Sequence, residues 1–345
     1  MKFFINKFIK KRELTVIIFL LILFSLVGIK NPSFISLSNI MLTLKGSVMY
    51  IALAIGMAFV ILTKEIDVSV GSILGMSAAV AATMLRNDKS LFSIITVTLL
   101  VGALSGIING VGVTKFKIPS IVMTLGTNGI LRGLMFIYTG GKWVENLPDY
   151  FKSASQATLF KGVNTFVVVT FVVMALIHLY LTKVKSGKYF AAVGDNVDGA
   201  NLIGIKVNFM KIIAFVISGL FASIAGMVYV SQVGFVGNVA GNGTEMTAIA
   251  ACVLGGVSLN GGVGSVLGAT FGAILMNSIN TALVFLKVPA YWNNTISGLL
   301  LIIIVSSDAL INRYLANNAV KQRLSVKTDH GSELKAKEIG GTING

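Results

Sequence analysis

The chain has 345 residues, of which 55% are hydrophobic and 12% charged, with a formal net charge of +15. A soluble domain carries about 25% charged residues, so this chain has too little polar surface to solvate a globule, and lipid is its natural solvent. The positive charge would suggest nucleic acid in a soluble protein, but basic residues beside apolar runs set membrane orientation, and no stacking platform or recognition helix accompanies them.

The chain opens on a basic stretch, Lys2, Lys7, Lys10, Lys11 and Arg12, followed by an apolar run from Leu14 to Gly28. No small-x-small cleavage site follows, so an uncleaved first span is expected over 14–29. Further continuous apolar runs predict spans at 46–63, 68–85, 91–113, 118–139, 163–182, 212–231, 245–259, 264–284 and 294–311. A helical span needs ~20 apolar residues, whereas barrel strands alternate in ~10-residue segments, so the expected fold is all-α and polytopic, with about ten transmembrane helices. The Gly-rich spans 68–85, 118–139, 245–259 and 264–284 are the ones expected to be broken or re-entrant. The organisation is then a basic cytoplasmic N-terminus (1–13), a membrane domain (14–311) carrying a cytoplasmic loop at 183–211, and a polar tail (312–345). The tail has no apolar period and is expected to be disordered.

Ten spans place both termini on one side. With the termini inside, the inner segments hold Lys64, Lys115, Lys117, Lys183, Lys185, Lys188, Lys206 and Lys211 besides the basic ends. The outer segments hold Lys30, Lys45, Arg86, Lys89, Lys142, Lys152, Lys161 and Lys287. The excess on the terminal side favours an N-in, C-in arrangement. A short recurrence, Val70-Gly71-Ser72-Ile73-Leu74-Gly75 against Val263-Gly264-Ser265-Val266-Leu267-Gly268, fits either an internal duplication of the kind transporters use or two similar Gly-rich helix starts.

No catalytic constellation is visible. Gly141-Lys142 and Gly187-Lys188 are followed by Trp143 and Tyr189 rather than Ser or Thr, so there is no Walker A loop. The two histidines, His178 and His330, and the single cysteine, Cys252, supply no metal-spaced cluster and no internal disulfide. No cofactor or metal is expected on this chain.

Ionisable residues at membrane depth are functional candidates. In Thr63-Lys64-Glu65-Ile66-Asp67-Val68-Ser69, either a tight loop uses Asp67 or Ser69 to cap the next helix, or a broken helix offers backbone groups to a polar ligand. Arg132 either snorkels or holds a neighbouring helix, or hydrogen-bonds a polyhydroxylated substrate. Asn109, Asn128, Asn277 and Asn280 are explained equally by interhelical hydrogen bonds. Asp67, Ser69, Asn109 and Arg132 are the candidates for a translocation pathway. Trp143 and Trp292 read as interfacial anchors, or as part of a docking face for an extracytoplasmic protein.

Ile66-Asp67-Val68-Ser69-Val70-Gly71-Ser72 resembles the I-D-[LV]-S-V-G-S signature of ribose-type ABC importer permeases, and Gly187 through Gly204 resembles their cytoplasmic coupling segment. The resemblance runs from about Leu14 to Asn312. Thr139-Gly140-Gly141-Lys142-Trp143, Gly194-Asp195-Asn196 and the stretches 231–235, 245–256 and 289–293 resemble the autoinducer-2 branch of that family. Asp195 stands where ribose permeases usually carry Gly; rhamnose permeases share parts of the pattern. The resemblance implies a permease subunit in the bacterial inner membrane that imports a furanose-like signal molecule. It also implies partners: cytoplasmic ABC ATPase subunits that bind the ATP, a second and non-identical permease, and a periplasmic substrate-binding protein. Gly187, Gly194, Asp195, Asn196, Ala200 and Gly204 are the expected coupling residues. Gly194 and Gly204 would bracket a short helix, Asp195 or Asn196 would cap it, and Ala200 is small enough to lie against a partner's groove. The competing readings are a ribose or rhamnose importer, and a gradient-driven secondary transporter. The latter would need paired acids or an ion site at depth, and few acids lie there.

Overall fold

The computed structural model describes residues 12–159 and 162–289, with scattered positions out to Ser306. The chain divides into two units, Met1–Leu301 and Ile302–Gly345, and the architecture below is that of the first. The basic stretch before Arg12, most of the expected span 294–311 and the tail 312–345 lie outside the described residues.

The described residues form α1 (Arg12–Lys30), α2 (Leu37–Leu62), α3 (Val70–Arg86), α4 (Leu91–Thr114), α5 (Ser120–Thr139), α6 (Asp149–Ala154), α7 (Thr165–Lys183), α8 (Lys185–Asp195), α9 (Val197–Leu202), α10 (Val207–Val233), α11 (Thr244–Leu254) and α12 (Val266–Phe285). A minimal antiparallel pair, β1 (Thr158–Leu159) and β2 (Val163–Asn164), sits between α6 and α7. Six helices, α2, α4, α5, α7, α10 and α12, are long and apolar enough to cross a membrane; α1, α3 and α11 are apolar but shorter. The all-α polytopic architecture expected from composition is therefore present, and nine of the expected apolar runs coincide with helices.

Three details differ from expectation. Helix α2 starts at Leu37 rather than 46, because Ser36 caps it by accepting from Asn39 N at 3.3 Å. Its first turns carry Ser38, Asn39, Thr43 and Lys45, which interrupt the apolar run without interrupting the helix. Spans 68–85, 118–139 and 264–284 are continuous rather than broken, running as α3, as α5 to a left-handed Gly140, and as α12. Helix α11 stops at Leu254 instead of 259, where Gly255 and the left-handed Gly256 end it. Its 11 residues cover about 16 Å, roughly half of a hydrocarbon core.

Helix α2 is the hub. Within its apolar window 78% of residues are buried, against 11% for α7, whose window is no less apolar; an all-round apolar helix can face other helices or lipid, and α2 is the one enclosed by other helices. Helices in lipid gain no hydrophobic drive from meeting, so close packing and small residues hold them. Helices α4 and α10 show this: a Cβ added at Gly102 would strike the Gly219 carbonyl, and one at Gly106 would strike the Phe215 carbonyl. The recurrent VGS motifs mark two helix starts, and the first turns of each helix supply glycines for a close approach. Gly71 and Gly75 take the chain near Gly241 and Ala240, while Gly268 and Gly272 take Gly255 and Ala251.

Two ends of the bundle are defined by contacts. At one, α8 meets the end of α2 and the turn 255–264. At the other, the loop after α5 meets the segment after α10: Val144 and Val236 form a two-way bridge at 2.9 and 3.0 Å, Asn238 Nδ2 donates to Gly141 O at 2.7 Å, and Trp143 stacks on Phe235 with centroids 5.5 Å apart.

Candidate functional site

The polar island of the sequence folds into α8 and α9. Val184 leaves α7 in an extended conformation, which starts α8. Asn196, not Asp195, caps α9: its backbone is extended and its Oδ1 accepts from Gly199 N at 2.9 Å. Asp195 is the last residue of α8. Gly194 is placed so that a Cβ would strike Leu62 O and Gly262 N, and Gly262 N itself donates to Leu62 O at 3.0 Å. Gly187 makes a similar approach to Tyr180 O. Phe190 is buried edge-on against Phe59, with centroids 4.9 Å apart. The segment is thus seated on the end of α2. Gly204 follows α9 with φ +81° in open space. Ala200, 3% exposed, turns into the chain itself, whereas Leu202 and Ile203 stand 88% and 73% exposed.

The break between α2 and α3 is the second feature. Glu65 N donates to Val60 O at 3.2 Å and Lys64 N to Ile61 O at 2.9 Å, with Lys64 at φ +66°. That is a Schellman ending with lysine in the position glycine usually takes. Residues after it would leave backbone groups unpaired, and side chains of α5 and of Asp67 itself satisfy them. Ile66 N donates to Ser120 Oγ at 3.3 Å and Val68 N to Thr124 Oγ1 at 3.1 Å. Asp67 Oδ1 accepts from Ser69 N at 3.0 Å and Ser69 Oγ at 2.5 Å, and Asp67 Oδ2 accepts from Ser218 Oγ at 2.8 Å. Asn109 Nδ2 donates to Ser69 Oγ at 2.8 Å, and Thr127 Oγ1 donates to Asn109 Oδ1 at 2.6 Å. Asp67, Ser69 and Asn109 are each 0% exposed. Lys211 Nζ adds an ion pair to Glu65 Oε1 at 2.6 Å. Of the four pathway candidates, the structure brings these three into one chain of hydrogen bonds spanning α3, α4, α5 and α10.

Arg132 lies elsewhere. It reaches from α5 across α3 to donate Nη1 to Ala240 O at 2.5 Å. Ala240 belongs to the segment 234–243, which joins α10 to the half-length α11. This segment walls a cavity of about 300 Å³, lined also by Met49, Tyr50, Trp143, Tyr229 and Phe235. Glu245, in the first turn of α11, is buried beside Gly71. The pathway candidates drawn from the sequence omit Glu245, as they omit Ser218, Thr124 and Thr127. A lone acid opening an apolar run straight after Gly241-Asn242-Gly243 was the available signal. Among the described residues no cluster of His, Cys, Asp and Glu is arranged to hold a metal.

A family model described as the branched-chain amino acid transport system / permease component matches residues 39–305. The Autoinducer 2 import system permease protein LsrC of Escherichia coli O9:H4 is 42% identical over 318 residues, covering 92% of this chain and 93% of the relative. The protein of that name from Photorhabdus laumondii is 41% identical over 325 residues, covering 94% and 97%. That from Photorhabdus luminescens is 41% identical over 317 residues, covering 92% and 96%. No solved structure matches the chain.

Proposed function

The chain belongs to the branched-chain amino acid transport system / permease component family, and from that premise we propose that it is the membrane-spanning subunit through which an ATP-driven importer passes autoinducer 2. The observation that carries the substrate is the 42% identity, over 92% of the chain, to a permease named for it. The lack of a Walker A loop supports a motor on separate ABC ATPase subunits.

In this reading the end bearing α8 and α9 faces the cytoplasm of a bacterial inner membrane, which the excess of lysine on that side supports. Leu202 and Ile203 are the surface offered to the ATPase. Gly187, Gly194, Asp195, Asn196, Ala200 and Gly204 shape the segment and seat it, so that a push on α9 is delivered to the end of α2. The outer loop carrying Trp143 receives a substrate-binding protein, and a second, non-identical permease completes the pathway. Asp67, Ser69 and Asn109 brace the break, and Arg132 serves the pathway. Alternating access then requires binding-protein docking and ATPase closure to favour different arrangements of the same helices.

Proteoliposomes test this directly. The complete importer accumulates autoinducer 2 when given ATP, and the chain alone accumulates none under an ion gradient; gradient-driven uptake by the chain alone would sink the proposal. Leu202→Asp with Ile203→Asp is expected to weaken association with the ATPase by about tenfold or more, as loss of an apolar anchor does. Co-purification at the unaltered level would remove the contact from this surface.

A further inference from the structure

One ion pair stands between the coupling segment and the brace at the α2–α3 break. Lys211 Nζ and Glu65 Oε1 are 2.6 Å apart, with their side chains 18% and 13% exposed. Enclosed to that extent, both charges have given up much of their water, and desolvation offsets much of the attraction. The best-attested use of such a pair is to fix one arrangement of the elements that carry it. Here those elements are α10 and the turn that ends α2.

Both partners lie where movement of the coupling segment arrives. Residues 203–206 join α9 to α10. Within them Ile205 N donates to Ala200 O at 3.0 Å, and Ile205, Val207 and Met210 are buried. The end of α9 and the start of α10 therefore move together, and Lys211 is one turn further along. Helix α8 reaches the same place from the other side: a Cβ at Gly261 would strike both Lys64 Cβ and Gly194 O.

Beyond Glu65 lies the brace. Lys211 and Ser218 are seven residues apart, which puts them on one face of α10 about two turns apart. Lys211 holds Glu65, and Ser218 Oγ donates to Asp67 Oδ2 at 2.8 Å. One face of α10 is thus tied to the break at two points. From Asp67 the hydrogen bonds run on through Ser69 and Asn109 to Thr127. Apolar side chains can slide past one another, whereas a charged hydrogen bond holds a defined geometry. A shift of α10 that keeps these ties must move the break with it.

We propose that the Glu65–Lys211 pair is the link through which movement of α9, carried by α10, reaches the α2–α3 break. Both are positioning residues for transport: they act through Asp67, Ser69 and Asn109 and do not touch the substrate. The assignment rests on the importer reading and adds to it a route from the motor to the membrane helices.

The complete importer in proteoliposomes, given ATP and either autoinducer 2 or ribose, tests the link, with ATP hydrolysed per molecule imported as the readout. Glu65→Lys and Lys211→Glu each set like charges together, and each is expected to raise that ratio by about tenfold or more. The two combined restore the pair with its charges exchanged and are expected to return the ratio to within about twofold of the parent. Glu65→Gln, which keeps the shape and loses the charge, is expected to raise the ratio about threefold; it decides the matter if neither reversal variant assembles. A pair that only stabilises the fold would lower uptake and hydrolysis in step, so an unaltered ratio in the assembled single variants overturns the link. A combined variant no better coupled than the single ones also overturns it. A parent that imports ribose and not autoinducer 2 overturns the substrate reading alone, and the ratios are then read on ribose. A parent that imports neither overturns the importer reading and the link with it.

Discussion

Asp67→Ala is expected to lower the stability of the detergent-solubilised chain by about 3 kcal/mol or more, read as a fall in its unfolding midpoint. The carboxylate is wholly buried and receives three donors, Ser69 N, Ser69 Oγ and Ser218 Oγ. Alanine leaves all three without an acceptor, and a buried donor left unpaired costs about 1–3 kcal/mol. The loss spreads, because Ser69 Oγ is also the acceptor for Asn109, and Asn109 for Thr127. Asp67→Asn keeps the shape and one carbonyl acceptor, so its cost is smaller, about 1–2 kcal/mol. Equal midpoints for Asp67→Ala and the unaltered chain would show that the break between α2 and α3 is held by something else.

Gly194→Val is expected to reduce uptake by more than about tenfold while the chain still inserts in the membrane. Its Cβ would fall on Leu62 O and Gly262 N, both backbone atoms that cannot swing aside. Overpacking of this kind forces backbone shifts costing about 1–3 kcal/mol, here where α8 rests on α2. The motor's stroke would then reach a loosened segment. Ala200→Trp acts by the same route, since Ala200 is turned inward and 3% exposed. Gly204→Ala is the control: φ is +81° but the surroundings are open, so the penalty is only the left-handed backbone, about 1 kcal/mol. Normal ATP-driven uptake with Gly194→Val would detach α8 from coupling.

Much of this architecture is legible in one-dimensional pattern because helices in lipid satisfy their own backbone. Apolar runs therefore mark helices wherever the run is unbroken, as in α4, α7 and α12. Helix α2 shows the limit: Ser36 caps it ten residues before its apolar run begins, since polar side chains at a helix start can be buried or exposed without changing the fold. The 63–69 stretch and the 183–205 island stand out as candidate sites by their charge and glycine content. What pairs with them does not. Asp67 meets Ser218 across 151 residues, Glu65 meets Lys211 across 146, and Arg132 meets Ala240 across 108. No local preference encodes such meetings; they follow from how α3, α5 and α10 cross. The direction in which Ala200 points is also tertiary, set by the seat of α8 on α2. Glu245 is hidden for a different reason: as a first-turn acid it looks like an ordinary favourable helix start, and only the buried, unused Oε2 marks it out.

The most direct measurement is depletion of autoinducer 2 from the medium by cells expressing this chain with its ATPase, second permease and binding protein, in the presence of excess ribose or rhamnose. The account predicts that autoinducer 2 disappears at a rate neither sugar slows. Autoinducer 2 left in the medium while ribose is depleted would contradict it.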